Sequence, residues 1–160
     1  ALVRRLAADK AEVALGASPE PDVVVLGADT LVAVDGEVLG KPVDAADARR
    51  MLQLLSGSRH QVLTGVAVAV RSGAAASIDV EVATTQVTMA RWTEEQIATY
   101  VASGEPMDKA GSYAIQEVGD RFVTSIDGSF DNVVGLPLDV AARMLRAVGV
   151  DVVDPLSPPS

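Results

Sequence analysis

The sequence predicts a mixed α/β (α+β) fold, an elongated, twisted mixed sheet flanked by helices with a central cleft. Apolar residues recur at helical spacing in several segments, while other segments are rich in Val and Thr, as strands are. The chain shows hairpin signals but no repeating βαβ unit. Its 160 residues suit one domain with a real core. We assign that domain to residues 1–154 and a flexible tail to the proline-rich residues 155–160.

The first helix is predicted from an apolar stripe that begins almost at residue 1. Its members are Val3, Leu6, Ala7, Val13 and Ala14. The chain thus opens inside a helical pattern with neither a methionine nor a cap, and we expect the natural N-terminus to lie upstream. Residues 16–21 contain glycine and proline and break the helix.

A strand and a hairpin follow this helix. Residues 23–26 form a short, continuous apolar run, which is typical of a buried strand. Residues 31–39 are predicted to form a hairpin around Asp35-Gly36, because this dipeptide accepts the positive φ of a tight turn.

The middle of the chain carries clear helix and strand signals. Pro42 and Asp44 open a helix that Gly57 ends. Its expected buried stripe is Ala48, Met51, Leu52 and Leu55. Residues 62–70 and 78–89 predict two long antiparallel strands. Thr93 with Gln96 is a capping box, which predicts a helix to about Ser103.

The last third is predicted to contain two short strands and a closing helix. The strands are expected at residues 112–115 and 122–126. Pro137 occupies a favourable first-turn position of the final helix. The predicted buried stripe of this helix is Ala141, Met144, Leu145 and Val148.

Composition limits the classes of function. The net charge of −9 opposes non-specific binding to nucleic acid or to anionic lipid, because both need a basic surface. No apolar run approaches the roughly 20 residues needed to cross a bilayer. The absence of cysteine excludes disulfides and thiolate zinc sites. We therefore expect a cytoplasmic protein with no membrane or nucleic-acid partner. Whether the protein forms a homodimer is an open question at this stage.

Four places break the local pattern, and two of them lie early in the chain. Lys10 falls on the apolar face of the first helix, where it either lays its stem along the surface or holds an anion. Asp29 follows the apolar run and is expected at the carboxyl end of a buried strand, where ligand crevices open in α/β sheets. It either caps a turn, or accepts a proton from water or holds a divalent cation.

The third place is Lys41, which follows Gly40 and precedes Pro42. The segment falls short of a phosphate-binding P-loop, because only three residues separate its glycines and proline replaces the Ser/Thr that would hold magnesium. Pro42 favours an extended backbone at Lys41 and projects the side chain from a stiff turn. The alternative is an ordinary solvated lysine.

The fourth place is the glycine-bracketed segment 104–111, with Gln116 shortly after it. Glu105 and Asp108 offer carboxylates to a metal, and Lys109 offers an ammonium to phosphate. Gln116 carries an amide able to recognise a base edge. An ordinary loop with loosely paired charges explains the pattern equally well. The single histidine, His60, excludes a histidine-rich metal centre and is expected to be structural.

These segments together resemble the Maf family, septum-formation-inhibitor proteins related to inosine-triphosphate pyrophosphatases. The matching stretches occur in the family's order over almost the whole chain. They are residues 6–11 (LAADKA), 27–30 (GADT), 36–42 (GEVLGKP), 55–57 (LSG), 64–66 (TGV), 100–106 (YVASGEP), 108–111 (DKAG), 113–116 (YAIQ) and 132–137 (NVVGLP).

The resemblance implies a nucleoside triphosphate pyrophosphatase whose cleft holds the triphosphate. It implies that Asp29 accepts the proton of the attacking water, and that Lys10 and Lys41 contact phosphate. Thr30 and Gln116 match positions linked to the subgroup acting on dTTP and UTP. Family members also begin with a strand and a Ser-x-Ser-Pro-Arg-Arg phosphate loop, which this sequence does not contain.

The expected chemistry is hydrolysis of dTTP or UTP to the monophosphate and pyrophosphate. Such reactions depend on positioning and charge neutralisation, and the available oxygen ligands suit Mg²⁺ or Mn²⁺. Asp29 is the first candidate ligand, and Glu105 and Asp108 are further candidates. Another interpretation is a catalytically weak, nucleotide-binding regulator of cell division. Pyrophosphate release from the substrate distinguishes the two.

Overall fold

The computed structural model describes residues 2–152, which form six helices, two short 3₁₀ turns and five strands. The predicted tail at residues 155–160 lies outside the described residues. The helices are α1 (Leu2–Ala17), α2 (Ala45–Leu55), α3 (Glu94–Ala102), α4 (Ile115–Phe122), α5 (Phe130–Val134) and α6 (Leu138–Ala147). The strands are β1 (Asp22–Val34), β2 (Glu37–Leu39), β3 (Arg59–Ser72), β4 (Ala75–Met89) and β5 (Val123–Asp127). The 3₁₀ turns are Glu105–Asp108 and Ala110–Ser112. None of the described helices is both long and apolar enough to cross a bilayer.

The five strands form one sheet in the order β2-β1-β3-β4-β5. The mixed α/β class is confirmed, but every strand pair of the described sheet is antiparallel, whereas a mixed sheet was expected. Tight hairpins join β1 to β2 and β3 to β4 and make these two pairs antiparallel.

Strand β1 is one long element rather than the short strand and separate hairpin arm expected. The predicted turn is confirmed, since Asp35 and Gly36 have φ of 48° and 77°. The apolar run is not buried throughout, because Val24 and Leu26 are 37% and 39% exposed. Short β2 pairs only with residues 32–34 of β1, so the preceding part of β1 has no strand on that side among the described residues.

Helix α1 lies directly on the sheet because two glycines leave room for it. A Cβ built on Gly65 would lie 2.5 Å from the backbone oxygen of Val3, and one on Gly27 would lie 2.9 Å from the backbone nitrogen of Ala11. Small residues extend this contact, with Ala7 and Ala11 packed on alanines of β3. This close approach of α1 to the sheet determines where the charged side chains of the helix lie.

The main core lies under α2 and α3, at the β2 end of β1. All four predicted residues of the α2 stripe are buried, and Asp44 caps the helix by accepting a hydrogen bond from the backbone of Asp47. The predicted capping box of α3 is also confirmed. Trp92 stacks on Phe122, with ring centroids 3.8 Å apart, and so ties α3 to α4.

The predicted strand at residues 112–115 is wrong. Gly111 and Ser112 adopt φ of 70° and 69°, a left-handed conformation that no strand tolerates. Ile115 instead begins α4, whose buried residues Ile115, Val118 and Phe122 follow a helical period. The prediction of a strand at residues 122–126 is confirmed by β5.

The last helices cover the sheet face opposite α1. The α6 stripe is confirmed, with Ala141 and Met144 buried and Leu145 and Val148 packed beside them. Helix α5 was not predicted. Ser129 caps it by accepting a hydrogen bond from the backbone of Asn132.

Candidate active site

A cleft of about 290 Å³ opens at the edge of β1, next to the part of that edge that pairs with β2. Its walls come from residues 28–32 of β1, from the segment 108–116 and from residues 133–135 at the end of α5. Because the cleft lies at a sheet edge, side chains from both faces of β1 line it, including the consecutive residues Asp29 and Thr30. Lys10 and Lys41 complete the lining.

The structure brings together seven of the eight residues predicted from the sequence. Those that line the cleft are Lys10, Asp29, Thr30, Lys41, Asp108, Lys109 and Gln116. Glu105 does not line the cleft. Its carboxylate is half exposed and lies 3.5 Å from the ammonium of Lys109. Glu105 is therefore connected to the site by its contact with that lysine.

Asp29 forms an ion pair with Lys10. The Lys10 ammonium lies 2.8 Å from Oδ1 of Asp29 and also donates to the backbone oxygen of Ala28 at 3.3 Å. Contrary to expectation, Asp29 lies in the middle of β1, opposite Gly65 of β3, and not at a strand end. Its side chain is only 19% exposed, whereas that of Lys10 is 55% exposed. Asp29 is therefore the more buried partner of the ion pair, and Lys10 reaches it from the solvent-exposed side.

All three lysines of this acidic chain line the cleft. Two aspartates line it as well, and the carboxylates of Glu105 and Glu117 lie beside Lys109. A hydrogen bond from Lys109 lowers the pKa of Asp108, and the charge of Lys41 adds to this effect. Lys41 and Lys109 thus act on the same part of the cleft, where their ammonium groups can contact phosphate.

Lys109 also organises the loop that carries it. Its ammonium donates to the backbone oxygen of Glu105 at 2.7 Å and lies 3.1 Å from Asp108 and 3.6 Å from Glu117. Tyr100 donates to the same Glu117 carboxylate and accepts from the backbone nitrogen of Ala114. Burial raises the pKa of Tyr100 to about 12, so its hydroxyl keeps its proton at neutral pH. These contacts join α3, the loop and α4.

Thr30 is held by a hydroxyl that sequence analysis did not single out. Its Oγ1 lies 2.8 Å from Oγ1 of Thr64, its cross-strand partner on β3. Thr64 is completely buried and also contacts the backbone oxygen of Asn132 at 3.2 Å. Thr64 belongs to the family-like stretch at residues 64–66, but its contact with Thr30 follows from the pairing register of β1 with β3, which is not visible in the sequence.

Gln116 lies on the first turn of α4 and not on a strand. Its side chain is exposed and lines the cleft as well as an adjoining pocket between α4, β5 and Phe130. Gln116 therefore lies where the cleft adjoins this second pocket.

Tyr113 forms part of the cleft wall and is fixed from behind by His60. Ser58 donates to the backbone oxygen of Leu55, so its oxygen accepts from Nδ1 of His60. Nε2 of His60 then accepts from the Tyr113 hydroxyl at 2.8 Å. Burial lowers the pKa of His60 to about 4, which keeps it neutral at pH 7. The histidine thus has the structural role expected of it.

The donor set of the cleft fits a hard cation that arrives with its ligand. Among the residues that the structure describes, no three His, Asp or Glu side chains form a cluster that could hold a metal ion alone. The cleft does contain the carboxylates of Asp29 and Asp108. Mg²⁺ commonly binds through one or two carboxylates together with substrate phosphates and water.

Comparison with known proteins agrees with this geometry. Three similar proteins are each named dTTP/UTP pyrophosphatase, from Anaeromyxobacter sp. (strain Fw109-5), Koribacter versatilis and Vibrio cholerae. They are 51%, 50% and 54% identical over 93%, 92% and 90% of this chain. The chain spans 70%, 73% and 74% of their respective lengths. The profile of the family described as Maf-like protein matches residues 1–148, and the chain therefore belongs to that family.

Proposed function

We propose that this protein is a nucleoside triphosphate pyrophosphatase that hydrolyses dTTP and UTP to the monophosphate and pyrophosphate. The observation that carries the proposal is the cleft itself, in which Asp29 lies among three lysines in an otherwise acidic chain. Relatives that are about half identical and bear this activity in their names support it. They also favour catalysis over the alternative of a catalytically weak regulator of cell division.

The lysines neutralise the triphosphate. Lys41 and Lys109 share one part of the cleft and contact phosphate oxygens there, and Lys10 contacts phosphate from α1. Phosphate oxygens compete with Asp29 for the Lys10 ammonium. Since Lys10 is largely exposed and Asp29 is not, binding draws the lysine away and leaves the carboxylate in place. The substrate itself thereby frees the base.

Asp29 then activates water. Its carboxylate accepts a proton as the water oxygen bonds to the α-phosphorus. The bond from the α-phosphorus to the oxygen bridging to the β-phosphorus breaks, and its electron pair leaves with pyrophosphate. Asp29 and Asp108, together with the phosphates, would hold a Mg²⁺ or Mn²⁺ ion, which would supply further neutralisation of phosphate charge.

The base is recognised at the Gln116 end of the cleft. Uracil and thymine present a ring N–H between two carbonyl oxygens. The Gln116 amide has both donor and acceptor groups, and Thr30 adds a hydroxyl. A site built on these hydrogen bonds rejects a mismatched base, because its own polar groups would be left unpaired.

Substituting Gln116→Glu tests this assignment. The wild type is expected to prefer UTP and dTTP over CTP, GTP and 7-methyl-GTP. The variant replaces the amide donor with a second acceptor, so uracil recognition falls by about 1–3 kcal/mol, while the amino group of cytosine gains a partner. The measurement is kcat/KM for each triphosphate with the full-length protein.

The ratio of UTP to CTP isolates the base from the added charge, because both nucleotides carry the same triphosphate. A wild type that favours GTP or 7-methyl-GTP would contradict the assignment. So would a variant in which the UTP-to-CTP ratio is unchanged.

A further inference from the structure

The orientation of the Thr30 hydroxyl is determined by Thr64. Each threonine hydroxyl has a single hydrogen and can donate only once. The backbone oxygen of Asn132 can only accept, so the 3.2 Å contact from Thr64 requires Thr64 to be the donor. The 2.8 Å contact between the two hydroxyls is then a hydrogen bond only if Thr30 donates to Thr64.

The acceptor at the end of this chain is held in place. Asn132 is completely buried, and its side-chain amide donates to the backbone oxygen of Val62 and to Oγ1 of Thr85. Thr64 is also completely buried, so water does not compete for its hydrogen. A buried hydroxyl that loses its partner is costly, which favours the single arrangement that satisfies both contacts.

Thr30 consequently presents lone pairs and no hydrogen to the cleft, which it lines together with Gly135 at the end of α5. A Cβ built on Gly135 would lie 3.9 Å from Oγ1 of Thr30, an ordinary contact distance, so these two residues face each other. Whatever meets Thr30 in the cleft must donate a hydrogen bond. A ligand that offers an acceptor at this point leaves two acceptors facing each other.

We propose that Thr64 is a positioning residue that acts through Thr30 to select a pyrimidine with a ring N–H. This inference rests on the proposed function. Uracil and thymine carry an N3–H group, which donates to the hydroxyl oxygen of Thr30. The Gln116 amide donates to the carbonyl oxygen of the base beside that N3–H. Cytosine has a bare N3 that is itself an acceptor, and it is rejected. Thr64 touches no substrate and determines selectivity only by fixing a hydrogen-bond direction.

The test removes the Thr64 hydroxyl without changing its shape. In Thr64→Val the Thr30 hydroxyl has no acceptor behind it and turns to donate into the cleft. The ratio of kcat/KM for UTP to that for CTP is expected to fall by about tenfold, the loss of one hydrogen-bond preference. Thr64→Ser keeps the hydroxyl and is expected to restore the wild-type ratio.

Thr88→Val is the matched control. Thr88 is a half-buried threonine on β4 that pairs with Arg59 of β3, five positions along that strand from Thr64. Its variant makes the same change on the same sheet away from the hydrogen-bond chain and is expected to leave the UTP-to-CTP ratio unchanged. An unchanged ratio in folded Thr64→Val, or an equal fall in both valine variants, would overturn the inference.

A substrate analogue tests the same point without any variant. 3-Methyl-UTP lacks the ring N–H, and the wild type is expected to hydrolyse it at least tenfold less efficiently than UTP. Comparable efficiency with the two would overturn the inference while leaving the proposed function standing. A wild type that releases pyrophosphate from no pyrimidine triphosphate would overturn both.

Discussion

Asp29→Asn is expected to lower kcat by about 10²–10⁴-fold, because an amide cannot accept the proton of the attacking water. The loss should lie mainly in kcat when Mg²⁺ is saturating, because Asp29 is also a proposed ligand of the metal ion. Removing its negative charge lowers the repulsion of the triphosphate, and Lys10 no longer has to leave an ion pair. The measurement is steady-state kinetics of pyrophosphate release, together with a thermal melt that shows the fold intact.

Asp35→Asn is the matched control for this substitution. Asp35 lies just after the same strand, is exposed, and occupies a left-handed turn position that asparagine adopts well. Its variant should retain wild-type kcat. Near-wild-type turnover in Asp29→Asn would place the base elsewhere in the cleft.

Gly65→Ala is expected to destabilise the protein by about 3 kcal/mol and to reduce activity. Its new methyl group would lie 2.5 Å from the backbone oxygen of Val3, and backbone cannot turn aside as a flexible side chain can. Helix α1 must move, and it carries Lys10 away from Asp29. The expected fall in melting temperature is roughly 6–12 °C.

Gly16→Ala controls for the loss of a glycine near the same helix. Gly16 lies in the last turn of α1, and a Cβ there would meet no atom within 4 Å. Its variant should be as stable as the wild type or slightly more so, because alanine favours a helix. A Gly65→Ala protein with an unchanged melting temperature would show that α1 does not lie as close to the sheet as described.

Local signals in the sequence were sufficient for much of the fold. The α2 stripe, the Asp44 cap and the Thr93–Gln96 capping box each depend on residues within one or two helical turns, and all are present in the structure. The Asp35-Gly36 turn depends on its own two residues. Such features need no knowledge of distant contacts.

Features that depend on distant pairing were not predictable. Residues 112–115 have the apolar character of a strand, but Gly111 turns left-handed against Val32 of β1, and α4 follows instead of a strand. The length of β1 and the position of Asp29 within it depend on pairing with β3. Asp29, for example, pairs with Gly65, which lies 36 positions further along the chain.

The candidate site shows the same division. The sequence around Lys10 favours a solvated helix residue. The packing of α1 on Gly27 and Gly65 brings the Lys10 ammonium to 2.8 Å from Asp29. Thr64 lies in a family-like stretch, but no role could be assigned to it from the sequence, because that role depends on its lying opposite Thr30. Glu105, in contrast, was a candidate metal ligand in the sequence, but its carboxylate forms an ion pair with Lys109.

The site of water attack tests the proposed reaction most directly. The full-length protein is incubated with UTP and Mg²⁺ in ¹⁸O-labelled water, and products are followed by chromatography and mass spectrometry. We expect UMP and pyrophosphate in equal amounts from the first time point, with the label in UMP and no UDP. This result follows from attack at the α-phosphorus by the water that Asp29 activates. UDP and inorganic phosphate as products, or label in pyrophosphate, would contradict the proposed reaction.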